Sequence, residues 1–288
     1  MLNIKEEELK NILPSDGPSI DEVKRYLEKY NDEYIVIKCG GSVLVDKDLF
    51  NIFIKDISVL NKIGFIPIIV HGGGKRISNK LDEIGIKSEF IKGLRVTNKE
   101  TIDVVEDVLI QFNKEIIEAL QKETCNSQTI NSKENNIITV VQGNKELGFV
   151  GTPTNINKTI IDSIVNKKKV PVIAPLGLDE NNQIYNINAD TAAGSIAKKI
   201  EARRLIIMSD VEGVLDSNDK LIPEINTESI KDLISNETVT GGMIPKINNC
   251  LDVASNGVKG VVIIDGRKNH SILFELLSDK GSGTLIRQ

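Results

Sequence analysis

A three-layer αβα sandwich around an open, mainly parallel central sheet is the fold class this sequence predicts, on three observations. Six short apolar runs, at 34–39, 66–71, 137–141, 170–174, 205–209 and 261–265, do not alternate with polar residues, which is the pattern of central strands covered on both faces. Helix-length amphipathic segments at 48–63, 75–84, 99–121, 191–201 and 245–256 lie between several of them, and alternating strands and helices build an α/β sandwich. The chain has 288 residues, 40% apolar and 27% charged, which is enough to bury a large core as one α/β domain or two lobes.

Taken in order, the elements carry their own signals. Ahead of the first strand, Ile20, Val23, Leu27 and Tyr30 form one stripe on a helix over 19–30. That stripe docks either on its own domain or on another subunit. The first strand closes in Lys38-Cys39-Gly40-Gly41, and the second runs straight into His71-Gly72-Gly73-Gly74. Glycines at such strand-to-helix junctions leave bare backbone amides where an anion can sit. The 124–136 stretch is polar and rich in Asn and Ser, which predicts an exposed loop or irregular hairpin and a poor place to seek chemistry. Asp190, in Asn186-Ile187-Asn188-Ala189-Asp190, falls where a helix N-cap is expected. Pro245 marks the first turn of the helix over 245–256, so Lys246 places a cation against the positive end of the macrodipole. A nearby anion would relieve that conflict.

Several classes are excluded. A formal net charge of -5 argues against a general nucleic-acid binder, whose affinity comes from concentrated Lys and Arg. The three cysteines, Cys39, Cys125 and Cys250, are odd in number and far apart, fitting neither a disulfide framework nor a zinc cluster. The charged N-terminus lacks a signal-peptide core and no apolar run is long enough to span a bilayer, so a reducing cytoplasm is the expected compartment and no membrane partner is expected. There is no P-loop, and no Gly-x-Gly-x-x-Gly follows a strand. His71-Gly-Gly-Gly also matches the oxyanion loop of lipase-type hydrolases, but the Gly-x-Ser-x-Gly elbow is missing and His71 and His270 are the only histidines.

Each candidate residue has a plain alternative. Lys38 either reaches an anion held by the glycine amides or snorkels at a strand end. Lys246 is either an anion ligand or a solvated lysine. Asp190 either orients the two lysines or merely caps a helix. Arg95, in Gly93-Leu94-Arg95-Val96-Thr97, either grips a carboxylate bidentately or makes a surface ion pair.

Together the segments resemble one family. Lys38-x-Gly-Gly, His71-Gly-Gly-Gly, Gly93-Leu-Arg-Val-Thr, Asn186-x-Asn-Ala-Asp, Ser209-Asp-Val-x-Gly-Val and Gly241-Gly-Met-Ile-Pro-Lys246 occur in the order found in acetylglutamate kinases, and the resemblance runs from about Tyr34 to Ile286. It implies the amino acid kinase fold in two lobes. An acetylglutamate-binding lobe would span 34–200 and an ATP-binding lobe 201–288, with residues 1–33 as an N-terminal helical arm. It implies ATP-dependent phosphorylation of the side-chain carboxylate of N-acetyl-L-glutamate, a step of arginine biosynthesis. Lys38 and Lys246 match lysines that neutralise the transferring phosphoryl, and Asp190 the aspartate that organises them. Gly41, Gly73 and Gly74 match backbone donors, Arg95 the ligand of the substrate α-carboxylate, and Asn186 and Asn188 residues beside the acetylglutamate. Ser209, Asp210, Val211, Glu212, Gly213, Val214 and Leu215, with Thr238, Val239 and Thr240, match the ATP pocket. No protein metal site is implied; Mg2+ arrives on ATP, held largely by phosphates and water.

The resemblance also implies regulation. Arginine-inhibited members carry an N-terminal helix that interlaces dimers into a hexamer. Residues 19–33 resemble it, with Tyr26 on its characteristic tyrosine. Lys280, before Gly281-Ser282-Gly283-Thr284, stands where such members have an acidic residue and would repel a cationic effector. Cys39 replaces a larger apolar residue, and 124–136 departs from the family's glycine-rich run. Competing readings are a sibling kinase with another carboxylate or carbamate substrate and a non-catalytic arginine-binding regulator.

Overall fold

The computed structural model describes residues 4–226, 228–236, 238–239 and 243–288. The chain begins with helices α1 (Glu6–Ile12) and α2 (Ile20–Tyr30), then strand β1 (Tyr34–Cys39), a 3-10 turn at Gly41–Leu44, α3 (Lys47–Lys62), β2 (Ile66–His71) and α4 (Gly74–Glu83). A short hairpin of β3 (Phe90–Ile91) and β4 (Leu94–Arg95) leads to the long helix α5 (Lys99–Lys122), followed by β5 (Ser127–Ile130), β6 (Ile138–Gln142), β7 (Gly151–Ile156) and α6 (Lys158–Asn166). Next come β8 (Val170–Ile173), β9 (Leu176–Leu178), β10 (Ile184–Asn186), α7 (Ala189–Ile200), β11 (Arg204–Ser209) and β12 (Glu224–Ile225). The chain closes with α8 (Ser229–Ser235), α9 (Met243–Ser255), β13 (Val261–Asp265), α10 (Ser271–Leu277) and β14 (Gly283–Ile286).

One eight-stranded sheet in the order β12-β14-β13-β11-β1-β2-β8-β5 forms the middle layer. Its pairings are parallel except β13 with β14, which is antiparallel. Neighbouring side chains of a strand point to opposite faces, and the core divides accordingly. Val36, Ile68, Val70, Leu205 and Ile207 pack with α7 and α9 on one side, while Ile35, Ile37, Ile69, Ile206 and Met208 pack with α2, α3 and α10 on the other. The expected α/β sandwich is therefore the observed fold.

Two expectations are corrected. The 137–141 run is not a central parallel strand: β6 belongs to a second, four-stranded sheet, β10-β9-β6-β7, where it pairs antiparallel with β7. Its exposed residues alternate with buried ones, so only one face is covered. The 124–136 stretch is not an exposed loop, because β5 within it is the edge strand of the main sheet, in register with β8. Cys125, Ile130 and Asn131 are buried there. Polar side chains there find partners within the fold, Asn131 on Thr129, Thr129 on Asn113 and Ser132 on Glu106, and composition alone reads such residues as exposed.

The N-terminal helix α2 starts in a reciprocal cap, in which Ser19 Oγ accepts from Glu22 N and Glu22 accepts from Ser19 N. Its stripe docks on its own chain, with Val23 and Tyr30 buried beside α10. Among the described residues no helix is long and apolar enough to cross a membrane.

Candidate active site

Parallel strands deliver their C-terminal ends to one edge of the sheet, and the site is built there. β1 pairs with β2 so that Lys38 lies opposite Val70 and Cys39 opposite His71. The two glycine turns therefore leave the sheet side by side, and Gly72 N–H donates to Cys39 O at 2.8 Å. Between them and the start of α7 opens a cavity of about 290 Å³.

A lysine–aspartate–lysine cluster sits at one end. Lys38 Nζ is 2.9 Å from Asp190 Oδ1, and Lys246 Nζ donates to Asp190 Oδ2 at 2.8 Å. The Lys38 contact is a close ion pair off the line of an aligned hydrogen bond, since Asp190 Oδ1 accepts none. Burial would raise the Asp190 pKa, but the two ammonium groups outweigh it and hold the carboxyl down at about 2. One carboxylate against two lysines leaves an excess positive charge. Asp190 is not the N-cap that position suggested. Asn188 caps α7 by accepting from Thr191 N at 3.1 Å, and Asp190 is the second helical residue. That offset frees its side chain for the lysines.

Arg95 marks the other end of the same cavity. It is 7% exposed, donates to Ser88 Oγ, Ser78 Oγ and the Gly74 carbonyl at 2.7–2.9 Å, and lies over the Phe90 ring. A guanidinium has five N–H donors, so these three bonds leave two for a ligand. Gly41, Gly73, Gly74, Asn186 and Asn188 also line the cavity. Asn186 donates to Thr97 Oγ1 at 3.3 Å. The structure thus gathers every predicted substrate residue around one cavity, with Lys38 and Asp190 in its wall and Lys246 bonded to Asp190 but not lining it.

The predicted nucleotide segments lie beyond the end of β11. Lys38 is opposite Ile207 in the sheet, so three residues further on Asp210 comes beside Gly41. Its Oδ1 accepts from Ser42 N at 2.7 Å. Ser209 ends β11, Val211 is exposed, and Glu212 pairs with Lys268 at 3.2 Å. Gly213 has φ +144°, and a Cβ there would meet Thr284 Oγ1 at 2.5 Å, so the turn requires glycine. Val214 N–H donates to that same hydroxyl, and Leu215 bridges to Leu221. Thr238 N–H donates to Asn236 Oδ1, and Val239 is buried. Thr240, with Gly241 and Gly242, lies outside the described residues.

Sequence reasoning missed Lys75. It follows the glycine triplet, lines the cavity, and places Nζ 3.3 Å from Ser42 Oγ and 3.4 Å from Asp210 Oδ2. A lysine on the first turn of α4, directly after Gly74, was the available signal. Of the predicted regulatory residues, Tyr26 donates its hydroxyl to Asp279 at 2.9 Å, Arg25 pairs with the same carboxylate at 2.6 Å, Lys280 is exposed, and Gly281 has φ +64°. An acidic residue therefore stands one position before Lys280.

Paired lysines around a carboxylate, glycine amides at two strand ends, and an arginine across a small cavity are the kinds of group that phosphoryl transfer calls on, here without a P-loop. The chain belongs to the amino acid kinase family, whose model matches residues 33–265. Within it, the chain is 70% identical over its full length, and over all of that protein, to the acetylglutamate kinase of Pelagibacter ubique (strain HTCC1062). It is 42% identical to the acetylglutamate kinase of Methylobacterium nodulans (strain LMG 21967 / CNCM I-2342 / ORS 2060), covering 91% of each chain. In fold it is similar to N-acetylglutamate synthase from Neisseria gonorrhoeae, solved with coenzyme A and N-acetyl-glutamate. That match has a TM-score of 0.84 at 19% identity and covers 94% of this chain but 64% of that one.

Proposed function

We propose that this protein transfers the γ-phosphoryl group of ATP to the side-chain carboxylate of N-acetyl-L-glutamate, forming N-acetyl-L-glutamyl 5-phosphate for arginine biosynthesis. The observation that carries the reading is the polarity of the cavity, with Lys38–Asp190–Lys246 at one end and the free donors of Arg95 at the other. A dicarboxylate is the ligand such a site fits. Arg95 takes the α-carboxylate, Asn186 and Asn188 flank the substrate, and its side-chain carboxylate points at the lysines.

A carboxylate oxygen attacks the γ-phosphorus, the new O–P bond forms as the bond to the β,γ-bridging oxygen breaks, and ADP leaves with that electron pair. No proton is transferred, because the nucleophile is ionised at neutral pH. Lys38 and Lys246 offset the charge on the transferring oxygens, and the amides of Gly41, Gly73 and Gly74 orient them. Mg2+ supplies further neutralisation when bound with ATP. It belongs on phosphates and water, because both oxygens of Asp190 are already committed to lysines. Residues 34–200 form the acetylglutamate lobe, 201–288 the ATP lobe with Ser209–Leu215 and 238–240 around the nucleotide, and 1–33 the arm. Three free, buried cysteines support a reducing, cytoplasmic setting.

The test is ATP- and Mg2+-dependent acyl phosphate formation, trapped as a hydroxamate, with N-acetyl-L-glutamate beside glutamate, aspartate and N-acetylaminoadipate. Selective turnover of acetylglutamate is expected. Preference for another acceptor would make it a sibling kinase, and no turnover with any would favour a regulatory protein.

Feedback inhibition by arginine through Tyr26, Lys280 and Gly281, in a hexamer joined through α2, is a second part of this proposal. Asp279 favours it, because a carboxylate already engaged by Arg25 and Tyr26 can accept an arginine guanidinium in their place despite Lys280. Inhibition by added arginine and a hexamer in light scattering are expected; a dimer insensitive to arginine overturns it.

A further inference from the structure

A chain of hydrogen bonds runs from the turn at 131–134 to the second glycine loop, and every link has a defined direction. Backbone N–H groups of Lys133 and Glu134 donate to Asn131 Oδ1 at 2.8 and 2.9 Å, which turns the Asn131 amide nitrogen toward Thr129 Oγ1, 3.0 Å away. Thr129, having accepted that bond, donates its hydroxyl to Asn113 Oδ1. The Asn113 nitrogen then has two hydrogens to place. One goes to the Val172 carbonyl at 2.9 Å, the other to His71 Nε2 at 3.2 Å. His71 Nε2 is thereby an acceptor, so the proton of the neutral ring lies on Nδ1, which is 3.0 Å from the Gly72 carbonyl. Backbone atoms anchor the chain at the turn, at Val172 and at Gly72. Reversing either asparagine would set oxygen against carbonyl oxygen or N–H against N–H.

We propose that His71 is a positioning residue, whose Nδ1–H tautomer, set by Asn131, Thr129 and Asn113, fixes the peptide between Gly72 and Gly73 in the orientation phosphoryl transfer needs. Holding the Gly72 carbonyl on the imidazole sends the Gly73 N–H the opposite way across the same planar trans peptide. Gly73 lines the cavity, and among the described residues its N–H has no acceptor. His71 is fully buried and stands edge-on to Phe112 at 5.1 Å, so its ring cannot turn over freely. Burial lowers its pKa to about 4, in keeping with a ring that stays neutral. It acts neither as a base nor as a phosphate ligand. Its effect passes through the glycine peptide, by the logic in which a second partner fixes which nitrogen of a histidine is protonated. The inference rests on the proposed reaction for its kinetic consequence but not for its structural one.

The test begins with 15N-histidine-labelled full-length protein. Only two imidazoles are present, His71 and His270, and His71→Asn assigns them by loss of one set of signals. At neutral pH His71 is expected with a protonated Nδ1 and an unprotonated Nε2; an Nε2–H tautomer overturns the proposal. Thr129→Val removes the hydroxyl that orients Asn113. It is expected to move His71 toward the Nε2–H form and lower kcat about tenfold or more, with KM for acetylglutamate and ATP changed less than about threefold. Thr129→Ser restores tautomer and kcat. A Thr129→Val protein with either the wild-type tautomer or the wild-type kcat overturns the proposal. If Thr129→Val does not fold, Asn131→Ala, which removes the donor to Thr129, is read by the same criteria. The tautomer needs no substrate, so an inactive wild type would count against the proposed reaction and leave the tautomer result to decide this inference.

Discussion

The two glycine loops leave adjacent strands at the same sheet edge, yet they are held by opposite means. The first, Gly40–Ser42, is braced by charge at a half-open surface: Asp210 takes the Ser42 amide, and Lys75 spans Ser42 and Asp210. The second, Gly72–Gly74, is braced by a buried neutral network through His71 on one side and by Arg95 on the Gly74 carbonyl on the other. A charged clamp across strands β1 and β11 is screened by salt and open to exchange with an anionic ligand. A buried neutral network is expensive to break and fixes one geometry. The first loop is therefore adjustable, and the second, beneath the cavity that Arg95 lines, is rigid.

The largest effect comes from removing the charge that both loops serve. Lys38→Ala or Lys246→Ala should lower kcat about a thousandfold or more, in line with loss of a main transition-state donor, while circular dichroism stays native. Near-normal turnover in either would separate the lysine cluster from the chemistry.

Packing distinguishes the loops next. A Cβ at Gly73 would come 2.5 Å from Leu109 Cδ2, whereas one at Gly74 meets nothing within 4 Å. Gly73→Ala should cost about 1–3 kcal/mol of stability and most of the activity, and Gly74→Ala should be nearly neutral in a urea melt. Equal destabilisation of the two would contradict the rigid packing assigned to the second loop. Gly41→Ala combines φ +65° with a Cβ 2.3 Å from Asp210 Oδ1. Backbone strain adds to the displacement of Asp210 from the Ser42 amide, so a stability loss of the same order as at Gly73 and a weaker ATP KM are expected.

Acidity separates the second loop from the lysine cluster by pH window, both losing stability as pH falls. His71 has a folded pKa of about 4 against an unfolded one near 6.5. At His71 the unfolded chain binds more protons between those values, so this group's contribution to stability is complete above about pH 6.5 and declines as pH falls toward 4, by roughly 3 kcal/mol. His71→Asn should remove that acid-side loss, so that the variant loses less stability than the wild type between about pH 6.5 and 4. Asp190 behaves as a depressed carboxyl: its stabilisation is present above the usual aspartate pKa and is lost as pH falls through about 2. The lysine cluster should therefore stay intact while His71 titrates.

The smallest effect is expected at the charged clamp. Lys75 and Asp210 are half-exposed, so Asp210→Asn should cost no more than about 1 kcal/mol and act mainly on ATP KM, with a loss that shrinks in high salt. A large, salt-independent loss would make the first loop as rigid as the second.

Much of this was legible in the chain. The apolar runs at 34–39, 66–71, 170–174, 205–209 and 261–265 became central strands because residues covered on both faces need no polar alternation. The run at 137–141 looked alike but joined a second sheet, since a short apolar stretch carries no information about its partner. The segments around Lys38, Arg95, Asn186 and Lys246 pointed to one cavity, whereas Lys75 and the support behind His71 went unread. Polar residues such as Asn113, Thr129 and Asn131 look like surface until their partners are known.

What the sequence alone determined is the layered α/β fold and the chemical groups of the site, because hydrophobic periodicity and residue type are local properties. What only the tertiary structure decided is which groups support which: Asp210 against Ser42, Asn188 rather than Asp190 as the cap, and the directed chain from the 131–134 turn to Gly72. Those depend on strand register and on the direction of individual hydrogen bonds between residues far apart in the chain, and both are set only when the sheet has formed.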